Sequence, residues 1–211
     1  MSHLVLLGDS IFDNAAYVSG GLAVIEQVQM RLPTTWRATL LAVDGSVTSD
    51  VKSQLRKIPG DATHLVVSVG GNDALGHLDI LDARARSTAE TLERLAEIAS
   101  DFVRRYKSML DAVRAAKKPT AICTIYYPRF PDPVLQRLSV TALTVFNDAI
   151  LRLGFLAGLP ILDLRLICNE DADYANPIEP SSRGGEKIAR AIVNLVTQHD
   201  FSSTRSEIFC S

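Results

Sequence analysis

Cysteine is scarce in this chain of 211 residues, with only three, at Cys123, Cys168 and Cys210. An odd set with no pair at metal-ligand or redox spacing argues against a disulfide framework and against a zinc site. Basic clusters are missing as well. Lys and Arg number 22 against 24 Asp and Glu, a net charge of −2, and no basic run is longer than Lys117-Lys118. Nucleic-acid binding calls for a concentrated positive surface, so no nucleic-acid partner is expected. The leading apolar stretch runs only from Leu4 to Leu7, with no basic leader before it. That is too short for a membrane span or a signal peptide's apolar region, so a reduced, cytoplasmic protein with no membrane partner is expected. Histidine is rare too, at four residues.

Apolar residues make up 47% of the chain and charged residues 22%, enough to bury one sizeable core. No repeat or low-complexity linker divides it, which predicts one domain over 1–199 followed by a polar tail, 200–211. Short β-branched and apolar runs recur at Leu4–Leu7, Thr39–Val43, Leu65–Val69, Thr120–Ile125 and Pro160–Leu164. Continuous runs of this kind suit strands buried on both faces of a parallel sheet. Between them lie helical patterns, from about Ala83 to Lys117, from Pro133 to Leu153, and from Ser182 onward. Strands alternating with helices predict a three-layer α/β/α domain with a parallel sheet of about five strands. Sites in such sheets form beyond the carboxyl ends of the strands. Three of those ends read Gly8-Asp9-Ser10, Asp44-Gly45-Ser46 and Gly70-Gly71-Asn72-Asp73, glycine beside small polar residues each time.

These tips resemble the SGNH hydrolases, also called the GDSL esterase and lipase family. Gly8-Asp9-Ser10-Ile11 matches the first block, Gly70-Gly71-Asn72-Asp73 matches the third, and Gly45 takes the looser second, where Val47-Thr48 replaces the usual Ser-Gly. The resemblance implies the flavodoxin-like fold of that family and a Ser10 nucleophile. The oxyanion donors it implies are the N–H of Ser10, the N–H of Gly45 and the side-chain amide of Asn72. The reaction would be cleavage of a small-molecule ester, without cofactor or metal. One such donor is worth roughly 3–4 kcal/mol of transition-state stabilisation.

The last block departs from the family. Its Asp-x-x-His-Pro motif aligns with Asn176-Pro177-Ile178-Glu179-Pro180, and the following Ser, Gly and Lys-Ile-Ala fix the register. Glu179 therefore stands in place of the histidine base and Asn176 in place of its Asp partner. Of the histidines, His3 and His64 fall at the starts of strands, on the wrong edge of the sheet. His199 ends the last helix, about 25 Å away at roughly 1.5 Å per residue. Only His77, just past the Asn72 tip, has a path inward, and a lone loop histidine is more often solvated. Glu179 is the better base. Its reference pKa lies about 2 units below that of His, roughly a 3 kcal/mol handicap. Burial raises a carboxyl by as much as about 3–5 units, more than that deficit. Asn176 suits such a base, since its amide can donate to Glu179 where an Asp would repel it.

Other residues have plainer readings beside functional ones. Asp9 and Asp73 bond the loop backbone and shape the tips. Asp13 and Asn14 either line the pocket or open the next helix. Tyr126, Tyr127 and Pro128 either form an apolar wall or simply pack. The stretch Arg129 to Leu138 reads as a loop covering the site. The expected activity is that of a serine esterase with Glu179 as base. Two alternatives stay open: a carbohydrate O-deacetylase, and a non-catalytic ligand-binding protein on the same fold that has lost its histidine.

Overall fold

Leu4, Val5, Leu6 and Leu7 have no exposed surface, because β1 (Ser2–Gly8) runs through the middle of a parallel sheet and both of its faces are covered. The molecule is a computed structural model that describes residues 1–203 and 205–210; Thr204 and Ser211 of the expected tail lie outside the described residues. The chain continues through α1 (Val24–Arg31), β2 (Trp36–Leu40), α2 (Val51–Leu55), β3 (His64–Ser68) and α3 (Gly71–Leu75). Then follow α4 (Thr88–Ala115), β4 (Thr120–Cys123), α5 (Pro133–Leu156), β5 (Ile161–Leu162) and α6 (Leu164–Ile167). A short antiparallel pair, β6 (Tyr174–Asn176) and β7 (Glu179–Pro180), precedes α7 (Ser182–Gln198) and β8 (Ile208–Phe209).

The main sheet has six strands in the order β2-β1-β3-β4-β5-β8, every pair parallel. The sequence led us to expect about five. The sixth is a two-residue strand in a polar tail, too short to carry a periodic signal, and it is held by Ile161 N–H to Glu207 and Asp163 N–H to Phe209. Alternation along β1 splits the core in two. Leu4 and Leu6 face α1 and α7 with Val28, Ile188 and Ile192. Val5 and Leu7 face α4 and α5 with Met109, Val113 and Ile150.

Helix boundaries follow local chemistry. Ser87 caps α4 by accepting the N–H of Glu90, so the helix starts five residues after the expected Ala83. Asp132 caps α5 through the N–H groups of Val134 and Leu135, with Pro133 in the first turn. Residues 133–138, which the helical pattern and the covering-loop reading both claimed, are helix. By length and composition α5 passes as a membrane span, yet Leu143, Phe146 and Ile150 pack it into the core against α4. Strand ends also moved. The second strand stops at Leu40, and Leu41 and Ala42 both donate to the Leu6 carbonyl, which breaks the regular ladder before Val43.

Candidate active site

Gly8 sits where β1 must pass directly over the tip of β3. Its φ is +128°, and a Cβ there would lie 1.7 Å from the Ser68 carbonyl oxygen, so only glycine fits. The Gln54 side chain grips both of its backbone groups, accepting the Gly8 N–H and donating to the Gly8 carbonyl, each at 2.8 Å. Nothing in the sequence marked Gln54 for this. Beyond Gly8 the chain turns sharply. The Asp9 carbonyl accepts Phe12 and Asp13 N–H, and Asp9 Oδ1 accepts Ile11 N–H. Ser10 is left on the outside of this turn, and among the described residues its N–H has no partner.

The β6–β7 hairpin brings Glu179 to the same place. Ser10 Oγ donates to Glu179 Oε1 at 3.0 Å, both side chains being buried. Residues 169 apart in sequence thus meet in one hydrogen bond. Asn176 Oδ1 accepts the N–H of Ile178 and of Glu179, each at 3.0 Å. This corrects one expectation: Asn176 reaches Glu179 through its backbone, and its amide does not donate to the carboxylate. The hairpin is pinned from both flanks. Tyr126 Oη donates to the Ile178 carbonyl at 2.7 Å, and Asn14 Nδ2 donates to the Pro180 carbonyl at 3.3 Å. Asn14 Oδ1 also accepts the Val24 N–H, so this fully buried amide joins α1 to the Glu179 hairpin. Of the two sequence readings of Asn14, the structure takes the helix-opening one, since Asn14 starts the short helical turn Ala15–Tyr17, and adds this bridging role.

Burial pushes the Glu179 carboxyl up to about 7, with the Asp44 carboxylate adding to the rise and the Ser10 hydroxyl opposing it. Its second oxygen, Oε2, is buried and has no partner among the described residues. Asp9 is pushed further, to about 8, chiefly by burial. The Ile11 N–H opposes this, and the Glu179 and Asp73 carboxylates reinforce it. Asp73 Oδ2 accepts both the N–H and the hydroxyl of Thr48 at 2.8 Å, tying the β3 tip to the β2 tip. Asp9 and Asp73 therefore do bond loop backbone, as expected.

Asn72 Nδ2 donates to the Ser46 carbonyl at 2.9 Å, which fixes its amide beside the second tip. Gly45 adopts a φ of +77° in that tip, and its N–H has no partner among the described residues. It is exposed and stands outside the cavity that Ser10, Asn72 and Glu179 line. The histidines divide as expected. His3 is fully buried between Asp61 and Thr39, His64 packs on Trp36, and His199 packs on Phe201 and Phe209. His77 lines the cavity, but the Ser10 hydroxyl is taken by Glu179.

That cavity, of about 100 Å³, runs from Ser10 into an apolar interior between α4, α5 and the turn at Leu78–Leu81. Leu78, Leu81, Leu95, Ile98, Leu143 and Phe146 form its inner wall. Of the aromatic stretch after β4, Tyr126 and Pro128 line it while the Tyr127 carbonyl accepts Tyr174 Oη. Phe130 lines it too, so the residues just before α5 cover the site, as expected of part of that segment. The α4 and α5 contributions were not visible in the sequence, because a helix's apolar stripe looks the same against a core or a cavity.

No curated protein sequence matches the chain. Solved structures do. An extracellular lipase from Streptomyces rimosus superposes with a TM-score of 0.65 at 17% identity, covering 95% of this chain and 100% of that one. The lipase Lip_vut3 from a goat rumen metagenome gives 0.70 at 20%, with 90% and 95% covered. Est24, a carbohydrate acetylesterase from Sinorhizobium meliloti, gives 0.62 at 12%, with 93% and 99% covered. At these identities the likeness is one of fold, the three-layer SGNH hydrolase fold with a central parallel sheet. The sequence itself is matched over residues 6–186 by the model of the GDSL-like lipase/acylhydrolase family, and with tips, order and fold in agreement the chain belongs to that family.

Proposed function

We propose that the protein is a serine esterase in which Ser10 forms an acyl-enzyme and Glu179 serves as general base in place of histidine. The observation that carries this is the buried 3.0 Å hydrogen bond from Ser10 Oγ to Glu179 Oε1. The carboxyl's pKa near 7 puts it where a base is both available and strong enough at neutral pH. In the first half-reaction Ser10 Oγ bonds to the ester carbonyl carbon as its proton passes to Glu179. The resulting oxyanion is met by the Ser10 N–H and by Asn72 Nδ2, whose position is set by Ser46, while Gly45, expected as a third donor, lies outside the cavity. The C–O bond to the alcohol then breaks and Glu179 returns the proton to the departing oxygen. A water molecule repeats the sequence on the acyl-enzyme, freeing the acid and Ser10. The apolar cavity beside Ser10 suits the acyl chain.

The charge balance of this base differs from that of a histidine. Glu179 goes from anion to neutral acid during attack, so it needs no negative partner to stabilise a cation. Asn176 supplies the turn geometry without adding a charge. The proposed substrate is a small-molecule ester, and the proposed steps call on no cofactor.

A fluorophosphonate probe tests whether Ser10 is activated. Stoichiometric phosphonylation, mapped to Ser10 by mass spectrometry and rising with pH through about 7, is the expected result. A protein that remains unlabelled over hours at pH 8 would point instead to a binding protein using the same donors, because binding alone requires no reactive oxygen.

A further inference from the structure

Ser139 is the exception in the apolar wall. It lies in the second turn of α5, is 7% exposed, and its Oγ is buried with no partner among the described residues. Hydroxyls on a helix ordinarily bond a carbonyl one turn back. Two on this same helix do so: Thr141 to the Arg137 carbonyl at 2.9 Å, and Thr144 to the Thr141 carbonyl at 2.6 Å. Ser139 shares a face with Ala142, Leu143 and Phe146, all lining the cavity at helical spacing. An unpaired buried hydroxyl is costly, and a ligand atom that pairs with it recovers the loss.

We infer that Ser139 is a specificity-determining residue, which selects acyl chains bearing a hydroxyl or keto oxygen part-way along by hydrogen-bonding that oxygen inside the cavity. The inference rests on the esterase reading for the role of the chain as acyl group. A serine hydroxyl donates and accepts, so it meets either kind of oxygen. Among the described residues no Lys or Arg lines the cavity, and His77 is its one basic side chain, without a permanent charge. A second carboxylate on the chain would therefore be buried without a countercharge, and the substituent selected is neutral.

The test uses two series, octanoyl and monohydroxyoctanoyl groups with the hydroxyl at successive carbons. One series is p-nitrophenyl esters, read as kcat/KM; the other is the primary amides, read as Kd by calorimetry. In the wild type one hydroxyl position should be preferred over the plain chain by roughly fivefold in both readouts. In Ser139→Ala that preference should invert, and Ser139→Thr should restore part of it. A flat series, or a preference that survives Ser139→Ala, overturns the inference, including the case where only an ordered water occupies Ser139. Position-specific amide binding without ester turnover would keep Ser139's role and sink the esterase reading. Turnover of octanoyl esters with no positional preference would do the reverse.

Discussion

Glu179→Gln is expected to lower kcat/KM on p-nitrophenyl butyrate by about 10³-fold, within the range that general-base catalysis supplies. The glutamine oxygen can still accept the Ser10 hydroxyl proton that Glu179 Oε1 accepts at 3.0 Å, so the ground-state geometry survives while proton transfer does not. The wild-type rate should rise tenfold per pH unit below about 7, where the carboxyl is mostly protonated, and level off above it. The variant's residual rate should be flat over that window. Ser10→Ala sets the floor, because without the hydroxyl no acyl-enzyme forms. A Glu179→Gln rate equal to wild type would remove Glu179 from the mechanism and leave His77, which lines the cavity, as the next base to examine.

How much of this was legible beforehand depended on how local each signal was. The tips Gly8-Asp9-Ser10 and Gly70-Gly71-Asn72-Asp73 are short contiguous strings, and each glycine answers a backbone demand that a reader can recognise. Glu179 was found by register, since Pro180, Ser181 and Gly184 fixed where the missing histidine should be. The supports of the site were not legible. Gln54 grips Gly8 from 46 residues away, and Asn14 holds the Pro180 carbonyl from 166. Each is an ordinary amide whose role exists only once the strands are placed. Asn176 was expected to donate its amide to the Glu179 carboxylate; instead its side-chain oxygen accepts two backbone N–H groups. An Asp would make the same two bonds while adding an anion near Glu179, which is the physical difference the substitution makes. The sixth strand went unseen because Ile208 and Phe209 alone carry no period.

Asp9 supplies the other large effect, on stability and not on rate. Folded, it holds its proton up to about pH 8, whereas unfolded it releases it near 3.8. Between those values the folded state binds more protons than the unfolded one, so stability must fall as pH rises through this window. Glu179 adds a smaller fall of the same sign, from 4.5 to about 7. Asp9→Asn keeps the oxygen that accepts the Ile11 N–H and mimics the neutral acid. Its stability relative to wild type should rise by about 4 kcal/mol between pH 5 and pH 8.5, measured by urea unfolding. If the two proteins lose stability in parallel from pH 5 to 8.5, Asp9 is ionised throughout. The outcome bears on catalysis as well. Asp9, Asp73 and Glu179 lie close enough for their charges to interact. On the proposed mechanism a neutral Asp9 would spare Glu179 one of those neighbouring charges, which favours a carboxylate base beside Ser10 at neutral pH.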